Sequence, residues 1–157
     1  KMVWDVIRIL SVSIASAIAM FLIQPWLYQS GVLAITDVEV DNWIAEKYMT
    51  GAAILFATAL AATLFWYLIA LRARITASHE ASPLRLAWAF LLLVPIIGIG
   101  VALFFFNGSN EALLSLTLFY VLDIMVVYWF STAISWPGLL KFVPPGSFTV
   151  RHLIGLK

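Results

Sequence analysis

Four runs in which nearly every position is apolar alternate with short polar connections along the chain. They cover about residues 6–28, 49–71, 84–106 and 112–134. A helix rises ~1.5 Å per residue, so roughly 20 apolar residues cross the ~30 Å hydrocarbon layer of a bilayer. Each run is therefore expected to be one transmembrane helix. The pattern predicts an all-α polytopic membrane protein, with residues 1–157 forming a single four-helix transmembrane domain. The first run is too long for the apolar part of a cleavable signal peptide, and no small-residue cleavage site follows it.

The connections refine this topology. Between the first two runs, Thr36 and Glu39 have the spacing of a capping box, and Val40, Trp43 and Ile44 recur at helical spacing. A short helix over about 37–47, lying on the outer membrane surface, is expected there. Asn107-Gly108-Ser109-Asn110 reads as a tight turn between the third and fourth runs. Its Asn-x-Ser sequon would be pressed against the membrane, so glycosylation is not expected. Ser82 as N-cap and Pro83 at the first helical position are expected to open the third helix. After Ile134 the chain becomes a Pro-rich apolar tail, residues 135–157. Trp136-Pro137-Gly138 is expected to end the fourth helix, and Pro144-Pro145-Gly146 to forbid another regular element. Leu139, Leu140, Phe142 and Val143 suit a tail lying along the inner leaflet or against a partner.

Charge sets the orientation. Of nine Lys and Arg residues, eight fall on one side if the helices thread the bilayer in turn: Lys1, Arg8, Arg72, Arg74, Arg85, Lys141, Arg151 and Lys157. Only Lys47 falls on the other. The positive-inside rule then makes both termini cytoplasmic, with Arg8, Arg72, Arg74 and Arg85 as anchors. Trp4, Trp66, Trp88 and Trp136 fall near one predicted boundary and Trp26 and Trp43 near the other, the pattern of an aromatic belt. The expected location is the bacterial inner (plasma) membrane.

Composition narrows the functional classes. A mean hydropathy of +1.03 with 64% hydrophobic residues lies outside the range of soluble domains. There is no basic platform for nucleic acid. Cysteine is absent, which excludes disulfides and thiolate chemistry. His79-Glu80 lacks the i, i+4 histidine spacing of a zinc helix, and no pair of intramembrane histidines suggests haem. No cofactor and no metal are expected. The chain has no phosphate loop, nucleophile elbow or paired catalytic acids, so it is not read as an enzyme.

The residue that stands out is Asp123, an acid in the middle of the fourth run. Such a charge costs about 2.5–3.5 kcal/mol on insertion scales and commonly marks a polar pathway or a buried pairing. Tyr120, one turn away, with Ser131, Ser115 or Thr117, supplies candidate partners; no basic residue lies at matching depth. Arg8 is expected to pair with Asp5 or to snorkel toward the headgroups. Gln24-Pro25 either opens a local hydrogen-bonding site or marks where the first helix loosens. Small residues form two ladders, Ser11, Ala15 and Ala19 on the first run and Ala53, Ala57 and Ala61 on the second, which suit close packing of those two helices or of subunits. Pro95 with Gly98 and Gly100 predicts a kink in the third helix.

Three functional classes fit. The first is a small non-enzymatic membrane subunit that anchors or scaffolds a larger inner-membrane complex, with lipid and other membrane subunits as partners. Its docking stripe is expected on the fourth helix around Phe119, Val126, Val127 and Phe130. The second is a homo-oligomeric ion or proton channel, or a membrane sensor, using Asp123 and the Pro95-kinked helix. The third is a small lipid or solute carrier. A pore should expose Asp123 to water, whereas a scaffold should shield it.

Overall fold

A computed structural model of the chain describes residues 2–72, 81–106, 110–135 and 143–155. Regular structure among these is helical throughout. Helix α1 runs over 2–29 as α-helical Met2–Ile18, a π-helical turn Ala19–Ile23, and α-helical Gln24–Gln29. Helix α2 is Val40–Arg72, with a π turn at Ile44–Tyr48. Helix α3 is Ala81–Phe106. Helix α4 covers 113–135, with a π segment at Met125–Phe130. A short α5, Ser147–Leu153, follows. Val3–Gln29, Val40–Arg72, Pro83–Phe105 and Leu113–Ile134 are long and apolar enough to cross a membrane. Of the residues singled out above, Lys1, Arg74, His79, Glu80, Lys157, most of the 107–110 turn and the tail over 136–142 lie outside the described residues.

The bundle buries a hydrophobic core and also exposes many large apolar side chains. Ile14, Leu22, Phe90, Ile97, Leu114 and Leu118 face outward. Ser13, Ser16, Gln24, Thr63, Asp123, Ser131 and Thr132 are buried. Polar side chains thus lie against neighbouring helices, while much of the outward surface is apolar.

Helix α4 packs against α1, α2 and α3, and the longest seam joins α2 to α3. That seam is tight at Gly98, where an added Cβ would run into the Thr58 side chain, with Thr58 Cβ and Cγ2 both at 3.3 Å. Gly98 thus serves close approach, while Gly100 has open space beside it. The helix stays α-helical through buried Pro95. It is already helical at Ala81, which puts Ser82 inside the first turn rather than at the cap.

Several sequence expectations are corrected by this packing. The principal neighbour of α1 is α4 rather than α2. Its inward stripe is Asp5, Ile9, Ser13, Ser16, Met20, Gln24 and Tyr28, so Ser11 and Ala15 face outward and Ala19 is half-buried. On α2, Ala52, Leu55, Ala59, Ala62, Trp66 and Ala70 point inward, while Ala53 and Ala57 are exposed and Ala61 is half-buried. Trp43, Trp66 and Trp88 are core residues rather than belt residues; Trp4 and Trp26 do face outward.

The separate surface helix over 37–47 does not form. Residues from Val40 are the first turns of α2, because a continuous helix buries Ile44 and carries Trp43 and Tyr48 onto Tyr28, with Tyr28 and Trp43 ring centroids 5.1 Å apart. Nor does the capping box form. Glu39, extended at φ −72 and ψ 117, precedes the helix and its carboxylate accepts from Asn42 Nδ2 at 2.7 Å. Thr36 instead clasps the next connection, its N–H donating to Glu111 Oε2 at 2.9 Å and its hydroxyl to Oε1. Asn110 N–H closes the same clasp on Asp37 Oδ2 at 3.0 Å.

A regular element does follow Pro144-Pro145-Gly146. Gly146 takes φ +71, a left-handed conformation that favours glycine, and this hinge lets α5 turn back onto α4. Trp129 Nε1 donates to the Pro145 carbonyl at 2.6 Å, and Arg151 Nη1 to the Ala133 carbonyl at 3.3 Å.

Candidate functional site

Three π segments bring three polar side chains together in the interior of the bundle. Gln24 is the first residue after the π turn of α1, Tyr48 ends the π turn of α2, and Asp123 precedes the π segment of α4, with one residue between. The extra residue in a π turn rotates the following side chains and frees a carbonyl, which is why such turns recur at polar sites. In α1 the Gln24 N–H reaches back five residues to the Ala19 carbonyl. The Met20 carbonyl, released from Gln24, meets the Tyr48 hydroxyl at 2.7 Å.

The Gln24 amide bridges the two neighbouring helices. Its nitrogen lies 2.8 Å from Asp123 Oδ1, and its oxygen lies 2.8 Å from the Tyr48 hydroxyl. Asp123 is 5% exposed and Tyr48 fully buried. The second carboxyl oxygen, Oδ2, has no hydrogen-bond partner among the described residues. An aromatic wall flanks the chain: Tyr48 lies 6.1 Å from Tyr28 and 5.9 Å from Trp43 between ring centroids.

The sequence-level partners of Asp123 fall elsewhere. Tyr120 is buried one turn away, but no hydrogen bond joins it to Asp123 among those the structure describes. Ser115 Oγ pairs with the Tyr28 hydroxyl at 2.7 Å. Thr117 bonds its own helix at Leu113 O, 2.8 Å. Ser131 is fully buried, and its hydroxyl has no partner among the described residues. Gln24, flagged beside Pro25 as an opener of a hydrogen-bonding site, is the contact that Asp123 makes. Tyr48 was missed; its signal was its place on the inward stripe of α2.

A second polar layer lies nearer the termini. Thr63 Oγ1 sits 2.9 Å from the Val127 carbonyl, inside the π segment of α4, and 2.9 Å from Ala59 O of its own helix. Tyr128 OH donates to Trp88 O at 2.6 Å, their rings stack at 5.1 Å, and Trp88 Nε1 donates to Thr132 Oγ1 at 2.9 Å. At the termini end, Arg8 pairs with Asp5 at 3.6 Å and donates to the Ile134 carbonyl at 3.2 Å. Two guanidiniums, of Arg8 and Arg151, thus donate to adjacent carbonyls, Ile134 O and Ala133 O, in the last described turn of α4. Arg8 is half-buried between Asp5 and α4, while Arg72 and Arg85 are exposed. Burial pushes the Arg151 guanidinium below its ordinary value, with Arg8 adding repulsion and Asp5 opposing it.

Among the described residues no three His, Asp or Glu side chains converge as metal ligands would. An apolar groove of about 320 Å³ runs along the outer face of α4 between Leu122, Met125, Val126, Trp129 and Phe130. Val127, named with that stripe from sequence, points into the core, and Phe119 packs edge-on against Tyr28. Compared with family models, curated proteins and solved structures, the chain matches none of them.

Proposed function

We propose that the chain is a small non-enzymatic membrane subunit that anchors or scaffolds a larger complex through helix packing. The observation that carries this reading is the enclosure of Asp123. A pore or open carrier path needs its intramembrane acid in contact with water, whereas Asp123 is sealed among α1, α2 and α4 and engaged by Gln24. A buried polar tie of this kind fixes which helix faces meet, which suits a rigid body on which other subunits assemble.

In this reading the docking stripe is the α4 groove together with the outward Phe148, Leu153 and Ile154 of the α5 region. The four long helices cross the bilayer in turn. The cationic side, carrying both termini and the α2–α3 connection, faces the cytoplasm, and Lys47 with its acidic neighbours faces outward. Phe148 and Leu153 then sit at the cytoplasmic headgroup level.

The test is the mass and composition of the particle extracted gently from native membranes through a tag on the C-terminus. Stoichiometric foreign subunits are the expected result. A pure homo-oligomer would move the reading to the channel or sensor class, and a lone monomer to the carrier class.

A further inference from the structure

The polar chain from Met20 to Asp123 has a hydrogen count that the backbone constrains. Gln24 N–H is committed to Ala19 O, so it is not available to Met20. The next donor that a π turn would offer the Met20 carbonyl is residue 25, which is proline and has no N–H. Met20 O is therefore left to the Tyr48 hydroxyl, 2.7 Å away in a fully buried position. A phenol has one hydrogen. With that hydrogen on Met20 O, the Tyr48 oxygen meets Gln24 as an acceptor across 2.8 Å.

The Gln24 side chain can answer only with its N–H. A half-turn of the amide exchanges its nitrogen and oxygen without moving the chain, and the two placements differ only in their hydrogen bonds. The Gln24 oxygen then faces Asp123 Oδ1 across 2.8 Å. Two acceptors at that separation need a hydrogen between them, and the carboxyl is its one source. We infer that Asp123 is a buried proton-binding site, whose bound hydrogen closes the chain Asp123–Gln24–Tyr48–Met20 across three helix segments.

The ionised alternative is one hydrogen short. Gln24 N–H would serve Asp123, and the single Tyr48 hydrogen would face both Gln24 O and Met20 O. One buried acceptor would stay unmatched at contact distance. Asp123 Oδ2, without a partner among the described residues, is tolerable as the carbonyl oxygen of an acid but costly as half of a carboxylate. The titratable groups nearest Asp123 are Tyr48 from α2 and Tyr120 from its own helix, with Tyr28 of α1 beyond them. Helix α3 carries only Arg85, near its opposite end, where Trp88 meets Thr132. No cation compensates a charge here among the described residues.

The site binds a proton, and its release has a structural consequence. Ionised Asp123 draws the Gln24 N–H back, Gln24 O then claims the Tyr48 hydrogen, and Met20 O loses its donor. Proton loss thus unhooks α2 from the π turn of α1. This holds whether or not the chain assembles with other subunits.

Infrared spectra of the purified protein in lipid at neutral pH test it, with aspartate carbonyl-labelled so that the four residues Asp5, Asp37, Asp41 and Asp123 are seen apart from glutamate. The expected result is a protonated-carboxyl band that vanishes in Asp123→Asn and shifts in Gln24→Leu, where its acceptor is gone. Should Asp123→Asn fail to fold, retention of the band in Asp5→Asn, Asp37→Asn and Asp41→Asn assigns it by elimination. A spectrum of carboxylates alone in the folded wild type would overturn the proposal. So would a band that persists in Asp123→Asn or does not move in Gln24→Leu.

Discussion

Removing one oxygen, in Tyr48→Phe, probes the central polar chain with little change in packing. The ring keeps its place 6.1 Å from Tyr28 and 5.9 Å from Trp43, and a fully buried position gains no cavity beyond a hydroxyl. The loss is confined to two contacts, 2.7 Å to Met20 O and 2.8 Å to Gln24. Leaving a buried acceptor unmatched costs about 1–3 kcal/mol, whereas interhelical hydrogen bonds in membranes average about 0.6 and reach about 1.7 kcal/mol. The Met20 carbonyl has no backbone substitute, so the upper part of the membrane range applies. The expected cost is about 1.5 kcal/mol, roughly a tenfold fall in the folded-to-unfolded ratio. Reversible unfolding by SDS titration in mixed micelles reads this directly. The cause is isolated by Pro25→Ala, which restores an N–H to the π turn. In that background Tyr48→Phe should cost less than about half as much, a coupling visible in a double-mutant cycle. An unchanged cost in both backgrounds would refute the role assigned to Pro25, and a negligible cost in the parent background would refute the dependence of Met20 on Tyr48.

Other perturbations follow from the same contacts. Asp123→Asn keeps a donor toward Gln24 and should unfold within about 1 kcal/mol of wild type, while Asp123→Leu leaves the Gln24 amide unpaired and should cost about 1–2 kcal/mol in the same titration. Gly98→Ala drives a methyl into Thr58 and should cost about 1–3 kcal/mol, with Thr58→Ala recovering part of it. Glu111→Ala removes both acceptors of Thr36, so protease cleavage between α1 and α2 should speed up while global unfolding stays nearly unchanged. Arg151→Met frees α5 from the Ala133 carbonyl and should raise amide exchange across 147–153 without altering exchange in α2 or α3.

The four long apolar helices were legible because run length alone decides them. The expected 6–28 and 112–134 agree closely with Val3–Gln29 and Leu113–Ile134. The second helix, expected from about 49, begins at Val40, since polar Asp41, Asn42 and Glu46 made its first turns read as a separate surface helix although Trp43, Ile44 and Tyr48 face inward. Which face of each helix points inward was harder to read. When almost every position is apolar, hydrophobic periodicity vanishes and the remaining signal is the spacing of polar residues. On α1 that signal is Asp5, Ser13, Ser16 and Gln24, all buried, and the small-residue ladder Ser11, Ala15 and Ala19 lies off this stripe. Asp123 was legible as a single polar residue at mid-span. Its contact with Gln24 was not, because it rests on π turns, and a π turn advances the register by one residue without a sequence mark beyond Pro25.

The enclosure of Asp123 is the claim on which both the scaffold reading and the proton site depend, and it can be measured directly. The chain has no cysteine, so Asp123→Cys introduces a single thiol. In folded protein reconstituted in vesicles, the thiol at position 123 should resist a small charged thiol reagent applied from either side. Control substitutions Glu46→Cys and Thr149→Cys, at exposed positions, should each label from their own side. Rapid labelling at position 123 in a variant that retains its helical content would place that position in a water-filled path and contradict its enclosure.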